Sequence, residues 1–409
     1  MKALLKIFVL KEGEHFSQPA DCPRVANLLA TALAAQNQRT EASIGFESAA
    51  NFETADFVLY PNLLDSIYDA FGILGVYRFL RTIRNFTRFA RKTIFFFGND
   101  APIEFGVPSI FVRQSVDTNV HGTNTIAFPY VRDDLGGDRH FDWDRFKFET
   151  SFVGFIGSYP VRFTALESFF IKKHNLRFFI KVRDRFYGHT SAEREKQKEE
   201  FLSGLRDAVT VLCPRGTATN SFRFFEALCM GRIPVLLSDN CGLPFESEIP
   251  YNDLIISIPE AKAAGSSQIL EEWIGRRTRE EILERGRRCR ALWESYFSKD
   301  VAIDRLLAEL ARYQEKLPAL SDASTEWFHA LGRDDQLFRS LQAQCDDCLK
   351  KGDDVNAVNI LVNIKGVLAA QKQGSEAIDK SIADLRSIMV KKIRLYVRHL
   401  DKLSRSGVS

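Results

Sequence analysis

The residues 214–228 bring together an arginine beside a glycine, a run of hydroxyl and amide side chains, and a carboxylate in an otherwise apolar segment. They read Pro214-Arg215-Gly216-Thr217-Ala218-Thr219-Asn220-Ser221, then Phe222-Arg223-Phe224-Phe225-Glu226-Ala227-Leu228. A guanidinium makes paired, charge-assisted bonds to phosphate oxygens, and a helix N-terminus offers free backbone N–H groups to the same anion. Arg215, Gly216, Thr219, Asn220, Ser221 and Arg223 are therefore candidate ligands of a diphosphate, with Arg183 upstream counted among them. Thr219 and Ser221 also fit helix N-caps, and a capped N-terminus can still receive an anion. Glu226 has two readings. It is a fixed double acceptor for the two hydroxyls of a ribose, or the i,i+3 partner of Arg223; spacing alone does not separate them.

A transfer reaction also needs a base, and the candidates lie elsewhere in the chain. Asp100 and Glu104 follow the aromatic run 93–98, where a carboxylate could take the proton of an acceptor hydroxyl. His121, within 117–124, and His15, after the first apolar run, are further candidates. Each has a plain alternative, as a loop-structuring aspartate or a surface histidine. Cys345 and Cys348 have CxxC spacing, but no second pair accompanies them, so a metal or redox site is not expected.

These residues need elements to hold them. The run 209–212 reads as a buried strand, 221–230 as a helix stopped by Gly231, and 233–237 as a second buried strand. That is a repeating unit of a parallel α/β sheet, whose ligands bind beyond the carboxyl ends of the strands. Further strands are expected at 3–10, 56–60, 93–98, 109–112, 125–128, 152–157, 177–182 and 253–258. Helices are expected at 24–36, at 63–92 with a break near Gly72 or Gly75, and at 162–173, 193–206, 267–276 and 278–315. The repeated alternation suggests two Rossmann-like domains facing a cleft, 1–145 and 146–317, joined by the polar stretch 129–144. Residues 318–409 read as an all-helical extension, with helices near 334–351, 353–372 and 375–404.

Bulk properties set limits. The chain has 409 residues, 45% hydrophobic and 27% charged with a net charge of +3, which is too even a balance to argue for nucleic acid. The 34 phenylalanines read as core packing. Seven scattered cysteines do not make a secreted disulfide framework. The N-terminal apolar run is broken by Lys6 and lacks a cleavage site, and no run approaches the roughly 20 apolar residues of a membrane span. A cytoplasmic protein is expected. Two basic stretches stand out: 77–88, with interleaved aromatics, and the last helix, with Arg386, Lys391, Lys392, Arg394, Arg398, Lys402 and Arg405. Both fit a solvated face over a core stripe, a peripheral contact with anionic membrane, or a hold on an anionic glycan. The apolar stripe of the last helix also allows a homo-oligomer.

The run LCPRGTATNSFRFFEALCMGRIPVLLSDNCGLPF resembles the signature region of the exostosin-like proteins, glycosyltransferase family 47. Shared features, in order, are Pro-Arg-Gly, Ser-Phe-Arg, Glu-Ala-Leu, Gly-x-x-Pro-Val and Leu-Pro-Phe. Phe152-Val153-Gly154 followed by Arg162 resembles the opening of the family's second domain, and 95–100 more weakly resembles an Asp-containing loop of its first. The resemblance covers roughly 90–315. It implies a GT-B fold and a metal-independent, inverting transferase without a cofactor, using a UDP-sugar. It places Glu226 on the ribose and Arg215, Ser221 and Arg223 near the diphosphate. Its eukaryotic members carry a membrane anchor, which this sequence lacks, so the expected acceptor is a hydroxyl of a surface-polysaccharide or lipid-linked glycan. A non-catalytic glycan-binding or scaffold protein on the same fold is the alternative.

Overall fold

A computed structural model describes residues 4–35, 45–136, 146–315, 317, 334–370 and 374–405. Within them lie two parallel sheets. The first has the order β2-β1-β3-β4-β5-β6, with β1 Leu4–Val9, β2 Gly45–Ser48, β3 Phe57–Leu63, β4 Thr93–Phe97, β5 Ile110–Arg113 and β6 Thr125–Ala127. The second has the order β11-β10-β9-β7-β8, with β7 Phe148–Phe155, β8 Phe178–Arg183, β9 Ala208–Pro214, β10 Ile233–Leu237 and β11 Ile256–Ile258. Every paired neighbour runs parallel. Such sheets are covered on both faces, and the central strands β4, β9 and β10 are buried along their whole length. The fold is the expected pair of parallel α/β units with a helical C-terminal region.

The helices are α1 Leu28–Ala34, α2 Asp65–Thr82, α3 Pro160–Ile171, α4 Ser191–Arg206, α5 Phe222–Cys229, α6 Ser266–Gly275, α7 Arg279–Leu292, α8 Lys299–Gln314, α9 Asp334–Lys350, α10 Asp354–Ala370 and α11 Glu376–Arg405. Local chemistry sets several boundaries. Thr190 and Glu193 form a capping box that opens α4, and Thr278 and Glu281 do the same for α7. The break expected in the long helix falls at Gly72, whose φ of 63° and ψ of −166° a side chain would resist. The backbone N–H of Ile73 there donates to Asn363 Oδ1 of α10 at 2.8 Å.

The structure adds to and differs from these expectations in places. The strand β2 was not foreseen, because Gly45-Phe46-Glu47-Ser48 has no apolar alternation and rests on its pairing with β1. The single helix expected at 278–315 is two, divided by the π-helical turn Trp293–Phe297 and Ser298. Its second half returns to the first sheet: Ala302, Ile303, Leu306, Leu307 and Leu310 share a core with Ile7, Leu59, Ile94 and Ile110. The boundary at 317 therefore follows a helix that packs on the first unit. The polar link was placed at 129–144, of which 137–144 lie outside the described residues.

Many of the described phenylalanines are core, as composition suggested, while Phe71 and Phe186 are exposed. Phe95, Phe97, Phe105 and Phe111 pack in edge and stacked pairs, and the last three surround the Arg113 guanidinium. In the basic stretch 77–88 the aromatics Tyr77, Phe79 and Phe86 are likewise buried. The seven cysteines are free. Among the described residues no helix is long and apolar enough to cross a membrane.

The helical extension ties the two units together. Residues of α9 and α10, among them Leu341, Ala357, Ile360, Ile364 and Val367, share a core with α2 of the first unit. Further along α11, Leu400 is buried in the core of the second, with Ile393, Tyr396, Val397 and Leu403 packed against it. The apolar stripe that allowed a homo-oligomer is thus largely spent within this chain.

Candidate functional site

The two units meet along the segment after β5. Thr118 and Asn240 bond through their backbones, Gly242 N–H donates to Val116 O at 3.0 Å, and Asp117 pairs with Cys241. Two of the candidate ligands serve this junction. Thr219 Oγ1 donates to Val116 O at 2.7 Å, and Asn220 Nδ2 donates to Gln114 O at 2.6 Å. Beside the junction opens a cleft of about 600 Å³. It lies beyond the carboxyl ends of β4, β7, β8 and β9, where an open parallel sheet receives ligands.

The floor of the cleft carries two arginines. Arg162, on α3, is 7% exposed and donates to the carbonyls of Phe155 and Pro214 at 2.9 and 3.3 Å; its Nε has no partner. Burial, and then the neighbouring Arg223, pulls its pKa down to about 9. Arg223, on α5, donates from Nε to Val153 O at 3.2 Å, and its guanidinium lies 4.4 Å from the centre of the Phe152 ring. Burial lowers its pKa as well. A Cβ at Gly154, where φ is +147°, would come within 2.0 Å of Arg223 Nη2, so only glycine leaves the arginine its place. Neither arginine has a carboxylate within 4 Å among the described residues. Buried guanidinium groups normally find their hydrogen bonds, so two of them held only by carbonyls make a ready site for an anion.

The helix α5 opens at the same point. Ser221 stands at its N-cap with extended backbone, yet its side chain makes no capping bond. No capping side chain therefore competes with a ligand for the first N–H groups, although that of Phe224 already donates to Ser221 O at 3.0 Å. One turn on, Glu226 faces the cleft without a hydrogen-bond partner among the described residues, and burial raises its pKa while Arg223 and Arg132 oppose the rise. The i,i+3 ion pair with Arg223 does not form. Arg132 approaches from the other side, 4.6 Å from the Phe222 ring centre.

The base candidates separate cleanly. Asp100 lines the cleft, and its Oδ1 accepts from Tyr130 Oη at 2.8 Å. Burial raises its pKa, and that hydrogen bond partly offsets the rise. Glu104 instead accepts from the N–H groups of Gly106 and Gly122, both at 3.2 Å, and so shapes two turns. His121 Nδ1 accepts from Asp117 N–H at 3.0 Å, and burial drives its pKa down to about 3, so it stays neutral. His15 Nδ1 accepts from Lys11 N–H at 3.0 Å within its own turn. None of Glu104, His121 and His15 lines the cleft.

Arg215, expected near the diphosphate, is placed elsewhere. It does not line the cleft but lies between Glu260 at 3.3 Å and Asp353 at 3.4 Å, the latter at the start of α10. Two carboxylates already neutralise it, so it bolts the helical extension to the second unit. Gly216 and Ser221 line the cleft as expected, and so does Arg183, which is held by Glu200 at 3.0 Å. Thr219 does not, and Asn220 does so while bonded across the junction. Sequence reasoning left out Arg162 and Arg132 as ligands, and the rim aromatics Phe186 and Tyr187, which are 56% and 69% exposed. The one signal for Arg162 was its place after Phe152-Val153-Gly154.

Residues 174–273 match the Exostosin GT47 domain. Exostosin-1 of Drosophila melanogaster is 34% identical over 125 residues, 31% of this chain and 16% of the fly protein. The Exostosin-1 homolog of Caenorhabditis elegans is 35% identical over 108 residues, 26% of this chain and 28% of the worm protein. The chain thus matches less than a third of either relative's length. Among solved structures, a glycosyltransferase from Rickettsia africae gives a TM-score of 0.40 at 9% identity, over 79% of this chain and all of that one. Anabaena HepE in complex with UDP gives 0.38 at 9% identity, over 76% of this chain and all of that one. Both are distant likenesses. The stretch that supplies Ser221, Arg223 and Glu226 to the cleft lies inside the residues that match the Exostosin GT47 domain, and over that stretch the chain is similar to the exostosins.

Proposed function

We propose that this protein transfers a sugar from a UDP-sugar to a hydroxyl of a glycan, a surface polysaccharide or a lipid-linked precursor, inverting the anomeric centre without a metal. The observation that carries the reading is the meeting, in one cleft, of Arg162 and Arg223 without carboxylate partners, the open N-terminus of α5, and the unpartnered Glu226. In this reading the two arginines and the N–H groups hold the diphosphate, and Glu226 accepts the ribose hydroxyls. Asp100, on the opposite side, takes the proton of the acceptor hydroxyl as its oxygen bonds to the anomeric carbon. The bond from that carbon to the β-phosphate oxygen breaks on the far face. The electron pair leaves with UDP, whose growing charge falls on the arginines. One displacement of this kind inverts the centre, and fixed cations take the part a metal would play.

Calorimetry with UDP tests the donor half. Wild-type protein should bind, Glu226→Ala should weaken binding by about tenfold, and Arg162→Ala by more, as expected for losing about 1.4 kcal/mol or more of charge-assisted bonding. Wild-type protein that shows no heat with UDP would overturn the reading and leave a glycan-binding scaffold on the same fold. Activity unchanged after exhaustive chelation is the result expected for the metal-independent step.

A further inference from the structure

We propose that the outer face of α11 docks this protein on an anionic lipid surface. The helix has 30 residues. Its inner side is occupied: Tyr396 stacks on Phe163 with ring centres 4.1 Å apart, and Leu400 is 2% exposed. On the outer side Lys391, Arg394, Arg398, Lys402 and Arg405 follow one another at steps of three and four residues, which places them along one stripe. All five are exposed, and none has a carboxylate within 4 Å among the described residues. Lys392, one residue away, turns inward to Asp354 and shows by contrast what a paired lysine on this helix does.

Two apolar side chains lie in the same stripe. Ile388 is 41% exposed and Leu395 is 63% exposed, at the three- and four-residue spacing that runs through Lys391, Arg398 and Lys402. Helical rise puts the five cations along about 20 Å of the surface. A helix that is pinned by one side and carries cations around apolar side chains on the other matches the interface of an anionic bilayer. There, headgroups neutralise the cations and the acyl boundary receives Ile388 and Leu395. A second copy of this face would set cations against cations, and a soluble polyanion would leave Leu395 in water. The acidic residues Asp384 and Asp401 are also exposed on this helix, and they only partly offset the charge.

The proposal does not depend on the transferase reading. It is tested by sedimenting the full chain with vesicles of phosphatidylcholine alone and of phosphatidylcholine mixed with phosphatidylserine. The wild type should bind the mixed vesicles and not the neutral ones, and added salt should release it. Lys391→Glu with Arg398→Glu should weaken binding by more than about tenfold, and Leu395→Ser by about threefold with every charge kept. Thermal unfolding and UDP affinity of the variants should stay at wild-type values, because these side chains are exposed and make no ion pair of their own among the described residues. The proposal is overturned if the protein ignores phosphatidylserine, or if the charge-reversed variant still binds. It is also overturned if Leu395→Ser binds undiminished while soluble polyphosphate competes fully, since the face would then serve a soluble polyanion.

Discussion

Asp100 and Arg215 show how little a residue's type settles before its neighbours are known. Asp100 works as a base only when ionised, and burial raises its pKa, so the rate should fall with falling pH through a value above the ordinary carboxylate range. Tyr130 Oη donates to the ionised form and lowers that value. Tyr130→Phe should therefore move the acid limb of the kcat profile to higher pH. Asp100→Asn should lower kcat by about 100-fold or more with UDP affinity retained. Arg215 calls for the reverse pattern. Its removal leaves Glu260 and Asp353 facing each other across a half-buried gap. We expect Arg215→Ala to cost about 1–3 kcal/mol of stability, measured by denaturant unfolding, while UDP affinity changes less than it does in Arg162→Ala.

At the scale of the element, the start of α2 holds a carboxylate in an unfavourable place. Asp65 accepts from Gly98 N–H at 2.9 Å, yet burial raises its pKa to about 6 from an ordinary 3.8. The sign follows from linkage. The folded chain binds this proton more tightly than the unfolded chain, so the stabilisation is complete below about pH 4 and is lost as pH rises through about 6. Asp65→Asn keeps an acceptor for Gly98 and has no charge to bury. At pH 7.5 it should be more stable than the wild type by on the order of 1–3 kcal/mol, less the few tenths that a charge near a helix N-terminus contributes. Below pH 4 the difference should vanish. Urea unfolding at the two pH values measures both arms.

Over the whole molecule, α8 crosses back to the first unit and α11 crosses forward to the second, so the chain is laced rather than strung. The segment 334–405 covers α2 with Leu341, Ala357, Ile360, Ile364 and Val367 on one side. On the other it grips α3 through the Phe163–Tyr396 stack and a His399–Glu167 contact of 2.7 Å. Deleting residues 334–409 should lower the midpoint of thermal unfolding by on the order of 10 °C and expose apolar surface that binds a hydrophobic dye. A truncated chain that melts like the wild type would show that the lacing adds nothing to stability.

Much of this protein could be read from its residues in order. Buried parallel strands write themselves as short apolar runs, and so β4, β7, β9 and β10 were legible, with the loop and helix between the last two. The exostosin-like motif is local as well, which is why Gly216, Ser221, Arg223 and Glu226 were found. Three things depended on contacts between residues far apart in sequence. A sequence window does not carry the desolvation that makes Arg162 a buried, half-satisfied cation, because that is set by Phe155, Pro214 and Arg223 together. Nor does it show that Glu104 and His121 are spent on backbone N–H groups, or that Asp353, 138 residues downstream, has already claimed Arg215. Spacing along the chain determined which residues could bind a phosphate; the packing of two sheets and a helical strap decided which of them are free to do so.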